Sequence, residues 1–378
     1  MSWRILTLHK IKLAVSVAGI AFAVVLMFVQ LAFLKSLFLA ETQGPAQFNT
    51  DLIMISPTRV LPGMSPSFPL NVLRNSLADP DVENVTPVYT ITLARWRNAW
   101  TGKGHLIQIY GIDPDADVFN IERLSDYRDQ LRIQGAVLFD RRSRDFYGPT
   151  FQGVETELSD RKVTVIGQVS LGPTFRSDGN ALMSRRTYFD HVGTGDLGPI
   201  RTERVDFGLI RTREGADLDA LARRLEQAAN QQVRVQTKTA YLAQTEEFVS
   251  KNTPIAFLFG FGVVLGISIG IVFCYNILYN DIAAQLRQYA TLKAIGYQDI
   301  QLTKYVVEQA LLLSLLGYVL GYVVASAIYA VLSNSARVPM PMTAGRAAMV
   351  FALTVVMCQA AGLLAVRRVH RVDPAECF

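Results

Sequence analysis

Residues 254–279 read PIAFLFGFGVVLGISIGIVFCYNILY, a run without one charged side chain. At about 1.5 Å per residue, a helix of this length exceeds the roughly 30 Å hydrocarbon core of a bilayer. Lipid offers the backbone no hydrogen-bond partners, so a helix is the conformation this stretch predicts. Its glycines fall at Gly262, Gly266 and Gly270, two successive small-xxx-small steps on one face. Working outward, apolar runs of similar length recur at 13–34, 305–332 and 347–366, and the mean hydropathy of the 378 residues is +0.24. The run Leu13–Leu34 exceeds the ~7–15 residue core of a cleaved signal peptide. No small-x-small cleavage site follows it, because Phe38 precedes Ala40, so an uncleaved anchor is expected.

Charge gives the four spans a direction. Cytoplasmic flanks carry an excess of Lys and Arg. The N-terminal tail has Arg4, Lys10 and Lys12, the loop 280–304 has Arg287, Lys293 and Lys304, and the C-terminal tail has Arg367, Arg368 and Arg371. The loop 333–344 has only Arg337. The expected layout is therefore a cytoplasmic tail at 1–12, helix 1 at 13–35, an exoplasmic domain at 36–252 and helix 2 at 253–279. A cytoplasmic loop at 280–304, helix 3 at 305–332, an outer loop at 333–344, helix 4 at 345–366 and a cytoplasmic tail at 367–378 complete it.

The net charge of +5 belongs to the membrane portion. Residues 36–252 carry 25 basic and 27 acidic side chains, a net of −2, which leaves +7 for the rest. A nucleic-acid surface needs a basic patch, and the one dense run, Arg141, Arg142 and Arg144, is bracketed by Asp140 and Asp145 as in a solvated turn. The cysteines, Cys274, Cys358 and Cys377, all lie outside 36–252, so the domain holds its core without a disulfide.

Within that domain, strands are expected at Asp51–Ser56, Val88–Leu93, His105–Gly111, Arg161–Val169 and Asp206–Arg211, with Pro87 interrupting the second. Leu218, Leu221, Leu225 and Ala228 recur at helical spacing after an Asp217 N-cap, and a strand at Gln232–Thr237 makes this a β-α-β unit. A helix at Thr239–Ser250 then leads toward helix 2. The expected fold class is an α-helical membrane protein with four transmembrane helices plus an α+β exoplasmic domain, built of short sheets, inserted between helices 1 and 2.

No catalytic constellation stands out, so no enzyme activity is expected of this chain. His105 and His191 lack any metal-ligand spacing. Asp113, Asp115 and Asp117 enclose Pro114 and miss the glycine and glutamate of a calcium loop. Thr101-Gly102-Lys103 contains a Gly-Lys pair, but Arg97 stands where a P-loop needs glycine. No cofactor is expected in the chain, and any ATP must be bound by a partner. Within the spans the polar residues noted are Gln30, Asn276, Glu308 and Gln359, of which Glu308 alone is ionisable, an arrangement unlike an ion-coupled transporter. Helix 3 adds Gly317 and Gly321. The two glycine faces serve either packing of the four helices or a homodimer seam.

The inner loop is amphipathic: Ile282, Leu286, Tyr289 and Leu292 or Lys293 share a face, and Gly296 can stop the helix. Such a helix either lies on lipid or docks into a cytoplasmic protein. Here a family resemblance enters. One span, a large exoplasmic domain and three further spans is the layout of MacB/FtsX-type ABC permeases. The segment Arg287-Gln-Tyr-Ala-Thr-Leu-Lys-Ala-Ile-Gly-Tyr297 resembles that family's coupling segment E-x-A-x-L-K-A-x-G, with Gln288 in place of the common acidic residue. The ending Asp373-Pro-Ala-Glu-Cys-Phe378 resembles D-P-A-E-x-[FL]. The stretch Ala18–Gln30 and the turn Gly111-Ile-Asp-Pro114 resemble the DevC subfamily, permeases of heterocyst glycolipid-type exporters.

The resemblance implies a bacterial inner-membrane permease with its large domain in the periplasm, working in a tripartite exporter by mechanotransmission. A separate ABC ATPase would bind ATP and dock on Gln285, Leu286, Tyr289, Ala290, Leu292, Lys293, Ile295 and Gly296. An HlyD-like membrane fusion protein and a TolC-like outer-membrane channel would complete the path, a homodimer would be the working form, and the cargo would be a lipid or amphiphile. The alternatives are an FtsX-like signalling subunit that activates a periplasmic hydrolase, whose exoplasmic domain is usually much smaller, and a lipoprotein-release permease.

Overall fold

A computed structural model of the chain describes residues 10–58, 66–174, 177–191, 203–252, 254–284, 299–336 and 342–369. The chain divides into two compact units. One is drawn from Met1–Ser36, Pro254–Ser335 and Pro339–Phe378, the other from Leu37–Thr253 with Ala336–Val338.

Helix α1, Lys10–Ala46, opens the chain. It runs past residue 35 because Leu37 and Ala40 are buried in the second unit. That unit then follows as β1 (Leu52–Ile55), β2 (Phe68–Pro69), α2 (Leu70–Asn75), β3 (Val82–Arg97), β4 (Gly104–Ile112), α3 (Arg128–Leu131), β5 (Ala136–Asp140), β6 (Glu155–Leu158) and β7 (Arg161–Val169). It continues with β8 (Asn180–Ser184), α4 (Arg185–His191), β9 (Arg204–Val205), β10 (Phe207–Thr212), α5 (Leu218–Ala228), β11 (Arg234–Thr237) and α6 (Lys238–Asn252).

Nine of these strands join into one sheet in the order β11-β1-β10-β3-β4-β8-β5-β7-β6, where short separate sheets were expected. The reason is β3, a sixteen-residue strand. Its first half pairs with β10 and its second half with β4, with a register shift between Ile91 and Ala94. Pro87 does not interrupt it. It pairs opposite Gly208 before β4 begins, where the other edge of β3 is unpaired and the missing N–H leaves no gap in a ladder.

At the β11 end, β10 and β11 both run antiparallel to β1, so the β-α-β unit is split, with β1 between its strands. The Asp217 side chain caps α5 by accepting the N–H groups of Asp219 and Ala220. This part of the sheet is covered on both faces. Leu52 and Met54 pack in one core with Leu70, Leu73, Leu221 and Leu225, and Ile53 and Ile55 in another with Phe48, Phe207 and Tyr241.

At the other end, Trp96 pairs with Leu158 and closes β3, β4, β8, β5, β7 and β6 into a ring. The fully buried Trp96 donates its indole N–H to the Tyr147 carbonyl and packs 4.8 Å from the Phe139 ring. Burial raises the Tyr147 phenol above its ordinary range.

The first unit is completed by α7 (Pro254–Ala284), α8 (Asp299–Ala336) and α9 (Ala344–Val369). Four stretches are long and apolar enough to cross a membrane: Leu13–Ala46, Phe257–Asn280, Val306–Ser333 and Ala344–Arg367. The α/β domain is inserted between the first and the second.

Trp96→Ala should remove the ring's closing side chain and destabilise the domain by about 3–5 kcal/mol. A thermal melt of the full chain followed by near-UV circular dichroism checks this, and an unchanged transition would show that the ring does not depend on Trp96.

Candidate functional site

In lipid, helices associate through close backbone approach rather than hydrophobic burial. The five glycines singled out in the sequence sit at such approaches, and each lies beside α1, though Met357 of α9 comes closer still to Gly270. Side chains on α1 meet α7 in descending order: Gly270 lies beside Ala23, Gly266 beside Met27 and Gly262 beside Gln30, with Phe33 stacked on Phe259 at 5.2 Å. The two helices are therefore antiparallel. They meet α8 in ascending order, Gly317 beside Ile20 and Gly321 beside Val24 and the Ala21 carbonyl, so α1 and α8 are parallel. Phe28 continues this seam among the rings of Tyr318, Tyr322 and Tyr329, and the Tyr329 hydroxyl donates to the Phe28 carbonyl.

Helix α9 closes the set. Tyr318 donates to the Ala347 carbonyl at 3.0 Å and Gln359 to that of Val307 at 3.2 Å, so α8 and α9 are antiparallel. Cys274 lies 3.8 Å from the Cys358 carbonyl, and Leu278 lies beside Gly362, so α7 and α9 are parallel. These directions alternate. They place the beginnings of α1 and α8 and the ends of α7 and α9 at one end of the unit, where the three basic clusters lie in the sequence.

The coupling residues Gln285, Leu286, Tyr289, Ala290, Leu292, Lys293, Ile295 and Gly296 lie outside the described residues, as do the flanking 297–298 and the tail 370–378. The described helices fix where that segment is tied, between Ala284 of α7 and Asp299 of α8.

Two features of the spans escaped the sequence reading. Glu308 is not their sole ionisable group. Arg346, the third residue of α9, is 8 % exposed, and its guanidinium lies 3.4 Å from the Tyr329 hydroxyl and 5.8 Å from that ring's centre. It sits at the opposite end of the span from the basic clusters, and counting from the start of the apolar run at 347 passes over it. Gly362, against Leu278, Val306 and Ala310, is a further close approach. It has no small partner four residues away on either side, the spacing that exposed the other glycines.

In the second unit, no group of three His, Cys, Asp or Glu side chains could hold a metal among the described residues. The ring nitrogens of His191 lie 3.0 Å from the carbonyls of Thr187 and Lys162, and His105 packs 4.6 Å from the Phe146 ring. Asp115 pairs with Arg132, and Asp113 accepts the Asp115 N–H, so the acidic series is a turn. Asp140, from the basic run's bracket, is fully buried and accepts the N–H groups of Leu171 and Gly172 and the Asn180 amide.

Comparison with known proteins assigns both units. Residues 260–374 match the sequence pattern of the FtsX-like permease C-terminal region, and residues 13–228 match the MacB-like periplasmic core domain. No curated protein matches the chain. Among solved structures, it is similar to the periplasmic region of MacB from Actinobacillus actinomycetemcomitans, at 12% identity and a TM-score of 0.36, covering 55% of this chain and 95% of that one. It is also similar to the extracellular domain of the ABC-type transporter YknZ from Gram-positive bacteria, at 14% identity and a TM-score of 0.34, covering 50% and 98%. A permease domain from Porphyromonas gingivalis matches at 15% identity and a TM-score of 0.32, covering 50% and 88%.

The glycine seams give a direct test. Gly321→Leu drives a side chain into Val24 and the Ala21 backbone and should destabilise the membrane unit by about 1–3 kcal/mol. Gly260→Leu, on the same kind of helix but facing open space, should be neutral. Thermal stability of the two detergent-solubilised variants separates them, and equal behaviour would refute the seam.

Proposed function

Because this chain belongs to the MacB/FtsX-like permeases of ABC transporters, which work with an ATPase partner, we propose that it is the permease of a tripartite exporter moving a lipid or amphiphile. The observation that carries this reading is the joining of an FtsX-like membrane half to a MacB-like periplasmic core domain matched over residues 13–228. A signalling subunit needs no exoplasmic domain of that size.

The mechanism follows from what the chain has to move. The ATPase docks on the inner-loop segment 285–297, through Leu286 and Tyr289 on its apolar face. Closure of the ATPase pair displaces that segment, and α7 carries the displacement because the segment begins where α7 ends. One residue, Thr253, separates α7 from α6, and α6 follows β11 of the large sheet directly, so two helices and a single linking residue connect the loop to the sheet. The sheet is the part that acts on cargo. An HlyD-like fusion protein and a TolC-like channel receive what it displaces, and two copies of the chain form the working pair in the bacterial inner membrane.

An amphiphilic cargo suits the spans. Their outward faces carry aliphatic side chains such as Leu311, Leu315 and Val319, and a polar solute crossing mid-bilayer needs polar groups along its path. The stretches Ala18–Gln30 and Gly111–Pro114 make a glycolipid of the DevC type the first cargo to assay.

Leu286→Glu or Tyr289→Glu should abolish co-purification with the partner ATPase while the variant stays inserted and its melting is unchanged. Retention of the ATPase by both variants would refute docking at this segment.

A further inference from the structure

Cys274 of α7 and Cys358 of α9 are buried in the membrane unit, and both carry free thiols. They are 84 residues apart in the chain, yet the Cys274 Sγ lies 3.8 Å from the Cys358 carbonyl. The two thiols are within hydrogen-bonding reach of each other. A single buried cysteine acts as a small apolar filler. Two that meet across a helix seam can do chemistry that one cannot.

The seam that brings them together is close and in step. At four-residue intervals along α7, Gly270 faces the Met357 thioether, Cys274 faces Cys358 and Leu278 lies beside Gly362. The helices are parallel, so these contacts advance together. A glycine on either side of the pair, Gly270 of α7 and Gly362 of α9, removes a side chain that would hold the backbones apart. A disulfide needs Cβ atoms about 3.5–4.5 Å apart, a spacing that two helices reach where small residues let them touch.

The surroundings set which reagents can act on the pair. Glutathione and the other water-soluble thiols that keep cytosolic cysteines reduced do not enter hydrocarbon. Lipid, by contrast, is near. Val272 is 57 % exposed and Val356 is 65 % exposed, and each stands two residues before one of the cysteines. A thiol packed in apolar surroundings is unreactive, so the closed seam preserves the reduced pair.

We propose that Cys274 and Cys358 form a redox latch: during turnover a lipid-soluble quinone oxidises the pair to a disulfide, which fastens α7 to α9 and halts the stroke. Each sulfur gives up its hydrogen as the S–S bond forms. The quinone takes the two electrons and two protons and leaves as the quinol. The effect on the machine rests on the exporter reading, in which displacement of α7 carries the stroke and parts this seam toward the lipid. The meeting of the two thiols does not depend on that reading.

The full chain carrying Cys377→Ser, reconstituted in nanodiscs with the partner ATPase and supplied with decylubiquinone, tests this. During ATP turnover the chain should become lighter by two hydrogens, and a non-reducing digest should link the peptide containing Cys274 to that containing Cys358. ATP hydrolysis should lose most of its initial rate, and tributylphosphine should restore both the thiols and the hydrolysis. Cys274→Ala and Cys358→Ala should each hydrolyse ATP at the starting rate and ignore the quinone. The mass measurement keeps both native cysteines, so it stands whether or not those variants fold. Thiols that stay reduced through turnover overturn the latch, as does a disulfide that leaves hydrolysis unchanged, and both results leave the exporter reading intact. A chain that no ATPase partner drives overturns both.

Discussion

Apolar side chains gain nothing in lipid by turning from one hydrocarbon neighbour to another, so the membrane unit rests on how near its backbones can come. That nearness is concentrated on α1. Gly262, Gly266 and Gly270 of α7 and Gly317 and Gly321 of α8 each remove a side chain where α1 would otherwise be held off. The directions of the helices follow, and they set Ala284 and Asp299, between which the inner loop is tied, at the same end of the unit as Lys10 and Val369. Helix α9 then adds hydrogen bonds from Tyr318 and Gln359 to carbonyls of its own and its neighbour's backbone.

In the second unit a single strand has the corresponding part. The sixteen residues of β3 belong to both the split β-α-β end and the closed ring, so the two halves share one ladder and one register. The ring has a practical value in a protein that works beside other chains. Pairing of Trp96 with Leu158 uses up edges that would otherwise recruit foreign strands.

The four spans, the inserted domain and the β-α-β unit around α5 were legible because each carries a period or a length that only one structure satisfies. Leu218, Leu221 and Leu225 mark a helix, and the uncharged run 254–279 marks a span. The strands Ala136–Asp140 and Asn180–Ser184 escaped for the opposite reason. Both are buried at every position, so they lack the alternation that reveals a half-exposed strand. The length of β3 escaped because a proline is a break only where its N–H is wanted, and which edge is paired at Pro87 is a tertiary fact. At the glycine faces the spacing was visible but the partner was not. Packing within one chain and packing between two look alike until α1 is placed.

The location of that partner has a consequence for how the protein is made. Helix α1 leaves the ribosome before the two helices, α7 and α8, that carry its glycine seams. About 200 residues separate them, which at 5–20 residues per second is a delay of roughly 10–40 s. Through that interval Ile20, Val24, Met27 and Gln30 of α1 have only lipid, or an insertion factor, for company. Biogenesis of this permease therefore includes a stage in which an anchored, unpaired helix carries an already translocated domain, and a chain cut short before Pro254 would remain at that stage.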